Sequence, residues 1–115
     1  MITENKINDF ISKKSKASMV LELLLNREYI TCSDIINLRE PNVSFYDETG
    51  RNYIPIFTTC PHSLIREIRD EFGADFIKDI DVKFYRRFFK NGKEHKISDV
   101  YKRYFLDKMA IVGGV

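Results

Sequence analysis

Ile80-Asp81-Val82-Lys83-Phe84-Tyr85-Arg86-Arg87-Phe88-Phe89-Lys90-Asn91-Gly92-Lys93 decides how this chain is read. From Ile80 to Phe89 the residues alternate, which is the period of a β-strand. Ile80, Val82, Phe84 and Phe88 fall on one face; Asp81, Lys83, Tyr85, Arg87 and Phe89 fall on the other. Lys90-Asn91-Gly92-Lys93 is the strongest turn signal in the sequence, because Asn and Gly tolerate the positive φ of a two-residue hairpin turn. A return strand is expected within Glu94 to Leu106, most clearly over Val100 to Leu106.

The same stretch concentrates charge. Net charge is only +2, yet residues 1–80 hold ten Lys and Arg against thirteen acids, while residues 81–115 hold nine against four. Between Val82 and Arg103 eight cations face only Glu94 and Asp99. A weak overall charge with one basic segment predicts a directional electrostatic face and polyanionic partners. The competing reading is a merely solvated hairpin. The aromatic residues on these strands are expected to be core and scaffold, since so small a chain needs its rings for burial.

Outward from the hairpin, helical signals dominate. Leu64, Ile65, Ile68 and Phe72 share one face of a helix opened by Thr58-Thr59-Cys60-Pro61 and closed at Gly73. Residues 42–57 place Val43, Phe45, Tyr53, Ile54, Ile56 and Phe57 around the polar run Asp47–Asn52, which predicts a second hairpin with Pro55 at an edge. Thr31-Cys32-Ser33-Asp34 resembles a capping box before a short helix closed by Pro41. Met19, Val20, Leu23 and Leu24 make the apolar stripe of a helix over residues 16–28, with Leu21 and Leu25 widening it. Ile7, Phe10 and Ile11, with Thr3 as a cap, predict a short N-terminal helix, either docked or a loose arm. The sequence divides into an arm or helix over 1–15, a domain over 16–108 and a tail over 109–115 with no anchor, expected to fray.

Length and composition exclude several classes. A chain of 115 residues fits one domain, and 43% hydrophobic with 31% charged residues is an ordinary globular balance. No apolar run approaches a membrane span, and Met1 to Lys6 lacks an apolar signal core, so a cytosolic protein is expected, in a bacterial or host cell cytoplasm, with no membrane partner. Cys32 and Cys60 cannot build a disulfide framework.

Several segments together resemble the small winged helix-turn-helix proteins of phages and prophages. They are Ser18-Met19-Val20-Leu21 through Leu25, then Ile30-Thr31 with Asp34-Ile35, then Ile65 to Gly73 followed by Ile77, and finally Gly92-Lys93 with Tyr101 to Leu106. The resemblance covers roughly Ser15 to Leu106, in pieces. It implies an α+β fold: a three-helix core plus a C-terminal β-hairpin wing, here with an inserted hairpin. The 17 residues from Pro41 to Phe57 depart from the pattern, since such proteins join the second and third helices by a few residues. A weaker resemblance, to the N-terminal α/β domain of SseB-type bacterial proteins, rests on Leu23 to Ile30 and Gly50 to Thr59.

The winged-helix resemblance implies double-stranded DNA as partner. Its third helix, Pro61 to Phe72, would enter the major groove with His62, Ser63, Arg66 and Arg69 outward, and Arg66 suits a guanine edge. Thr58 or Thr59 would donate to a phosphate. Lys90, Lys93 and Lys96, with Arg87, would hold the backbone as the wing. Against this, Arg66 and Arg69 have Glu67, Asp70, Asp75 and Asp79 within helix or loop reach, so plain ion pairing is the alternative. The function expected is a DNA-binding regulator or accessory factor of a phage or mobile element, with homodimerisation on paired half-sites as one form. The rival is a non-catalytic interaction module, a phage-encoded inhibitor or adaptor that docks an acidic protein through the inserted hairpin edge or the basic wing.

No enzyme is expected. Cys60 and His62 stand two apart at a helix start, but no third orienting group stands out, so both thiols read as packed and His62 as a surface residue. Cys32, Cys60, His62 and His95 match no zinc spacing. No phosphate loop or nucleophile elbow is present, and no cofactor or metal is expected.

Overall fold

The long alternating segment forms a ribbon that leaves the body of the protein. The computed structural model describes residues 2–113. In chain order the elements are β1 (Ile2–Thr3), α1 (Glu4–Ser12), α2 (Lys16–Asn26), α3 (Cys32–Ile36), α4 (Pro61–Phe72), β2 (Ile77–Lys90), β3 (Lys93–Leu106), a 3₁₀ turn (Lys108–Ala110) and β4 (Ile111–Val112). The fold is α+β: four helices, then one long antiparallel hairpin.

The first three helices each start where a side chain accepts one of the first free N–H groups. Thr3 Oγ1 accepts from Lys6 N at 3.2 Å, and Ser15 Oγ accepts from Ser18 N at 3.1 Å. At α3 the capping box is complete: Thr31 Oγ1 accepts from Asp34 N, and Asp34 Oδ2 accepts from Thr31 N at 2.8 Å. For α4 the sequence points to a Thr cap, but Cys60 occupies that position and makes no side-chain cap bond. Thr58 Oγ1 instead accepts from Cys60 N, and Pro61 supplies the preset first turn.

The core lies between the helices and the root of the ribbon. In α2 the buried stripe is Ala17, Val20, Leu21 and Leu24, so the expected stripe is shifted toward its Leu21 side; Met19, Leu23 and Leu25 are only partly covered. Leu64, Ile65, Ile68 and Phe72 of α4 face it as read from the sequence. The N-terminal helix is docked. Ile7 and Phe10 are buried, Phe10 meets Phe72 at 5.3 Å between centroids, and Lys6 Nζ donates to the Glu71 carbonyl. The ribbon contributes only Ile77, Tyr104 and Leu106, with Ile30 bonded to Tyr104 through both backbone groups at 2.8 Å.

Three segments differ from expectation. Residues 42–57 form no strands: a single bridge joins Tyr46 and Asn52, and Asp47 Oδ1 gathers the turn by accepting from Thr49 N and Arg51 N. A carboxylate that satisfies the turn locally removes the need for a ladder. Those bonds, the Thr49 hydroxyl's first, hold the Asp47 carboxyl below its usual value. Phe57 alone of this segment's large apolar residues is buried. The tail has an anchor, since Ile111 and Val112 pair in parallel with Ile2 and Thr3; the last two tail residues lie outside the described ones. The ribbon is also longer than read, with 14 residues in each strand.

That length sets the shape. The chain measures 64 × 44 × 20 Å with a radius of gyration of 18.2 Å, where a compact chain of this size has about 13 Å. Asn91 at φ 54° and Gly92 at φ 72° make the tight turn, both positive as the type I′ geometry requires.

Candidate nucleic-acid interface

The register fixes which side chains share a face. Opposite residues in an antiparallel pair point the same way. Lys83, Tyr85, Arg87 and Phe89 therefore share a face with Glu94, Lys96, Ser98 and Val100. Phe84, Arg86, Phe88 and Lys90 share the other with Lys93, His95, Ile97 and Asp99. The cations are thus divided between two faces of a ribbon that is solvated on both.

Two cross-strand pairs set like charges opposite each other: Arg87 against Lys96, and Lys90 against Lys93. Such pairs destabilise a hairpin. Glu94 partly offsets the first through a 3.7 Å contact with Arg87. Among the described residues, Lys83, Arg86, Lys90, Lys93 and Lys96 enter no ion pair.

The aromatic residues of the outer ribbon are not core, contrary to expectation. Phe89 is 77% and Tyr85 68% exposed. Other rings cover one another across the strands: Phe84 lies 5.7 Å from Tyr101, and Phe88 stacks on His95 at 5.3 Å. Cross-strand pairing of this kind takes the place of a missing second layer.

The root of the ribbon is a different environment. Arg69 donates to the Ile77 carbonyl at 2.7 Å and pairs with Asp79 at 3.0 Å. Of the two readings of Arg69, the geometry matches ion pairing; the side chain clips α4 to β2. Lys102 adds bonds to Asp79 at 3.2 Å and Asp81 at 3.0 Å. Arg103 lies over the Tyr29 ring at 4.3 Å and donates to Tyr101 Oη. Two of the eight cations in the basic stretch are therefore occupied holding the root together.

The bond from Arg69, and then that from Lys102, keep the Asp79 carboxyl below its ordinary value of 3.8. A lowered carboxylate stabilises the fold above its unfolded value, and that contribution is lost as pH falls through the folded one. Asp79→Asn is expected to lower stability at neutral pH by about 1 kcal/mol, the upper end for partly exposed pairs. The gap between wild type and variant should close as pH drops below 3.8. Urea midpoints at neutral and acid pH check this.

The other helix candidates divide. Ser63 and Arg66 are exposed on α4, with Ser63 Oγ bonded to the Cys60 carbonyl. Arg66 makes no ion pair among the described residues, but Glu67 and Asp70 flank it, so this face is nearly neutral. Thr59 is exposed just before the helix. His62 is exposed, but its ring is engaged: Nδ1 lies 2.8 Å from Tyr104 Oη, with Cys32 Sγ 3.8 Å from its other nitrogen. From Tyr104 to the turn the ribbon runs roughly 36 Å at 3.3 Å per residue. The α4 residues and Lys90, Lys93 and Lys96 therefore do not form one continuous ridge; the cations gather at the far end.

Comparison with protein-family models, with curated proteins and with solved structures gives no match. Among the described residues no helix is long and apolar enough to cross a membrane, and no group of His, Cys, Asp and Glu is placed to hold a metal ion.

Proposed function

We propose that this chain binds double-stranded DNA through the outer half of its ribbon, as a regulator or accessory factor of a phage or mobile element. In this reading α2, α3 and α4 are the three-helix core of a winged helix-turn-helix, α1 is an added brace, and the ribbon is an extended wing. The opposed like charges on a ribbon free of the core carry the proposal. Arg87 against Lys96 and Lys90 against Lys93 cost hairpin stability, and a phosphate wall offsets that cost. A two-stranded ribbon also fits the width of the major groove, where it meets phosphates on either side. The helix α4 contributes less than the family resemblance implies, since the side chains of Arg69 and His62 are engaged with the ribbon root, which leaves Ser63 and Arg66 as the exposed α4 candidates not tied to it.

Mobility shift of a random-sequence duplex across a salt series tests this. Five phosphate contacts, one for each unpaired ribbon cation, give a log–log slope of about −4.5 and an affinity loss of about 500-fold between roughly 50 and 200 mM salt. A flat response, or no shift at the lowest salt, would falsify the proposal.

The interaction-module reading has its own support. Tyr46, Tyr53, Ile54 and Ile56 stand exposed in the 41–57 segment, with Ile54 74% exposed. Four large apolar side chains exposed within one short segment favour a protein surface as partner. Absence of a DNA shift, with retained fold, is the result that would favour it.

A further inference from the structure

Cys32 sits where the sequence offers no hint of chemistry. It is the first residue of α3, fixed there by the Thr31–Asp34 box. Its Sγ lies 3.8 Å from His62 Nε2 at the start of α4. The other ring nitrogen, Nδ1, lies 2.8 Å from Tyr104 Oη. Tyr104 is 2% exposed and is locked to Ile30 by two backbone bonds. Three elements thus bring a thiol, an imidazole and an orienting hydroxyl into line. The thiol and the imidazole border a cleft of about 740 Å³ walled by Tyr29, Phe84, Tyr101 and Lys102, with Tyr104 buried behind them.

The geometry points to Cys32 as a base-assisted reactive thiol that exchanges with small disulfides entering this cleft. For His62 Nε2 to take the thiol proton, Nδ1 must carry the ring hydrogen and donate it to Tyr104 Oη. Tyr104 suits the acceptor role. Burial first, then the neighbouring Cys32 thiol, push its ionisation up to about 12, so it stays a neutral phenol. In the reaction Cys32 Sγ–H passes its proton to His62 Nε2. The sulfur attacks one sulfur of the disulfide; the Cys32–sulfur bond forms as the disulfide bond breaks. The departing thiolate takes the proton from the imidazolium. Cys32 is oxidised to a mixed disulfide and the leaving half is reduced to a thiol, so the disulfide itself is the oxidant. This exchange requires a base and open access, both of which the cleft supplies; acyl transfer would also require an oxyanion site.

Cys60 provides an internal reference, because it is exposed while both nitrogens of His62 face Tyr104 and Cys32. The test uses dithiodipyridine, followed by release of its thiopyridone. Cys60→Ser leaves Cys32 as the sole thiol, and this variant should react under native conditions. Adding His62→Gln, a substitution at an exposed site, should slow that reaction about tenfold. It should leave the rate at Cys60, measured in Cys32→Ser, unchanged. Circular dichroism checks that each variant is folded. Tyr104→Phe removes the positioning hydroxyl, and nitrogen NMR of the imidazole should then show a shift from the Nδ1–H to the Nε2–H tautomer. An equal rate with and without the imidazole overturns the proposal, as does failure of Cys32 to react where Cys60 does.

Discussion

Replacing Lys90, Lys93 and Lys96 together with Ala is expected to weaken binding to any duplex by about two to three orders of magnitude near 0.1 M salt. Each phosphate contact releases about 0.9 of a counterion, so at 0.1 M it is worth roughly eightfold in affinity. Three contacts multiply to about 500-fold, and the salt slope should fall in magnitude by about 2.7. All three residues are exposed, and none forms an ion pair among the described residues, so no structural bond is lost with them. The substitution also removes both like-charge oppositions, since Lys96 faces Arg87 and Lys93 faces Lys90. The variant should therefore be no less stable than wild type, and slightly more so if that repulsion is felt. Weaker binding together with equal or greater stability is the signature of a surface shaped for an anion. Unchanged affinity would move the contact elsewhere, and a fall in stability would mean that the ribbon end is packed against something.

What the sequence discloses about this fold follows period and proximity. The strand alternation from Ile80 and the Asn91-Gly92 turn are local, so the hairpin is legible, as are the Thr31–Asp34 box and the Gly73 helix end. Burial is not local. Val82, Phe84 and Phe88 have the spacing of a core face, yet the nearest layer stops at Tyr104, and the rings shield one another across the strands instead. Residues 42–57 have the composition of a hairpin, but Asp47 closes its own turn and Pro55 interrupts the second run, so pairing stops at one bridge. The thiol site escapes for the same reason. Cys60 and His62 are close in sequence, but residues two apart at a helix start point to different sides. The partner that meets His62 is Cys32, thirty residues away, and the orienting hydroxyl belongs to Tyr104 on a strand at the end of the chain. Only the contact between α3, α4 and the ribbon root brings the three together, and no spacing rule covers that.

Where the core ends can be measured with one pair of substitutions. Ile68→Ala is expected to cost about 3 kcal/mol, the middle of the range for removing a large aliphatic side chain from a closed interior. Ile68 is 0% exposed, at the centre of the α4 face that meets α2, and its surroundings come from elements far apart in the chain. Helices packed against several partners, as α4 is against α2, α3 and β2, collapse little into such a void, so most of the cavity term should remain. Against a total stability of about 5–15 kcal/mol this is a large fraction, and the urea midpoint should fall by about 2 M for an unfolding slope near 1.5 kcal/mol per M. Phe89→Ser removes a larger apolar side chain, yet it should change stability by no more than about 0.5 kcal/mol, because that ring lies near the tip of the ribbon with 77% of its surface in water. The difference is a statement about position, not residue type. If Phe89→Ser proved as costly as Ile68→Ala, and the cost grew with protein concentration, the outer ribbon would be buried against a second copy in solution. The duplex-binding proposal would then lose the solvated ribbon on which it depends.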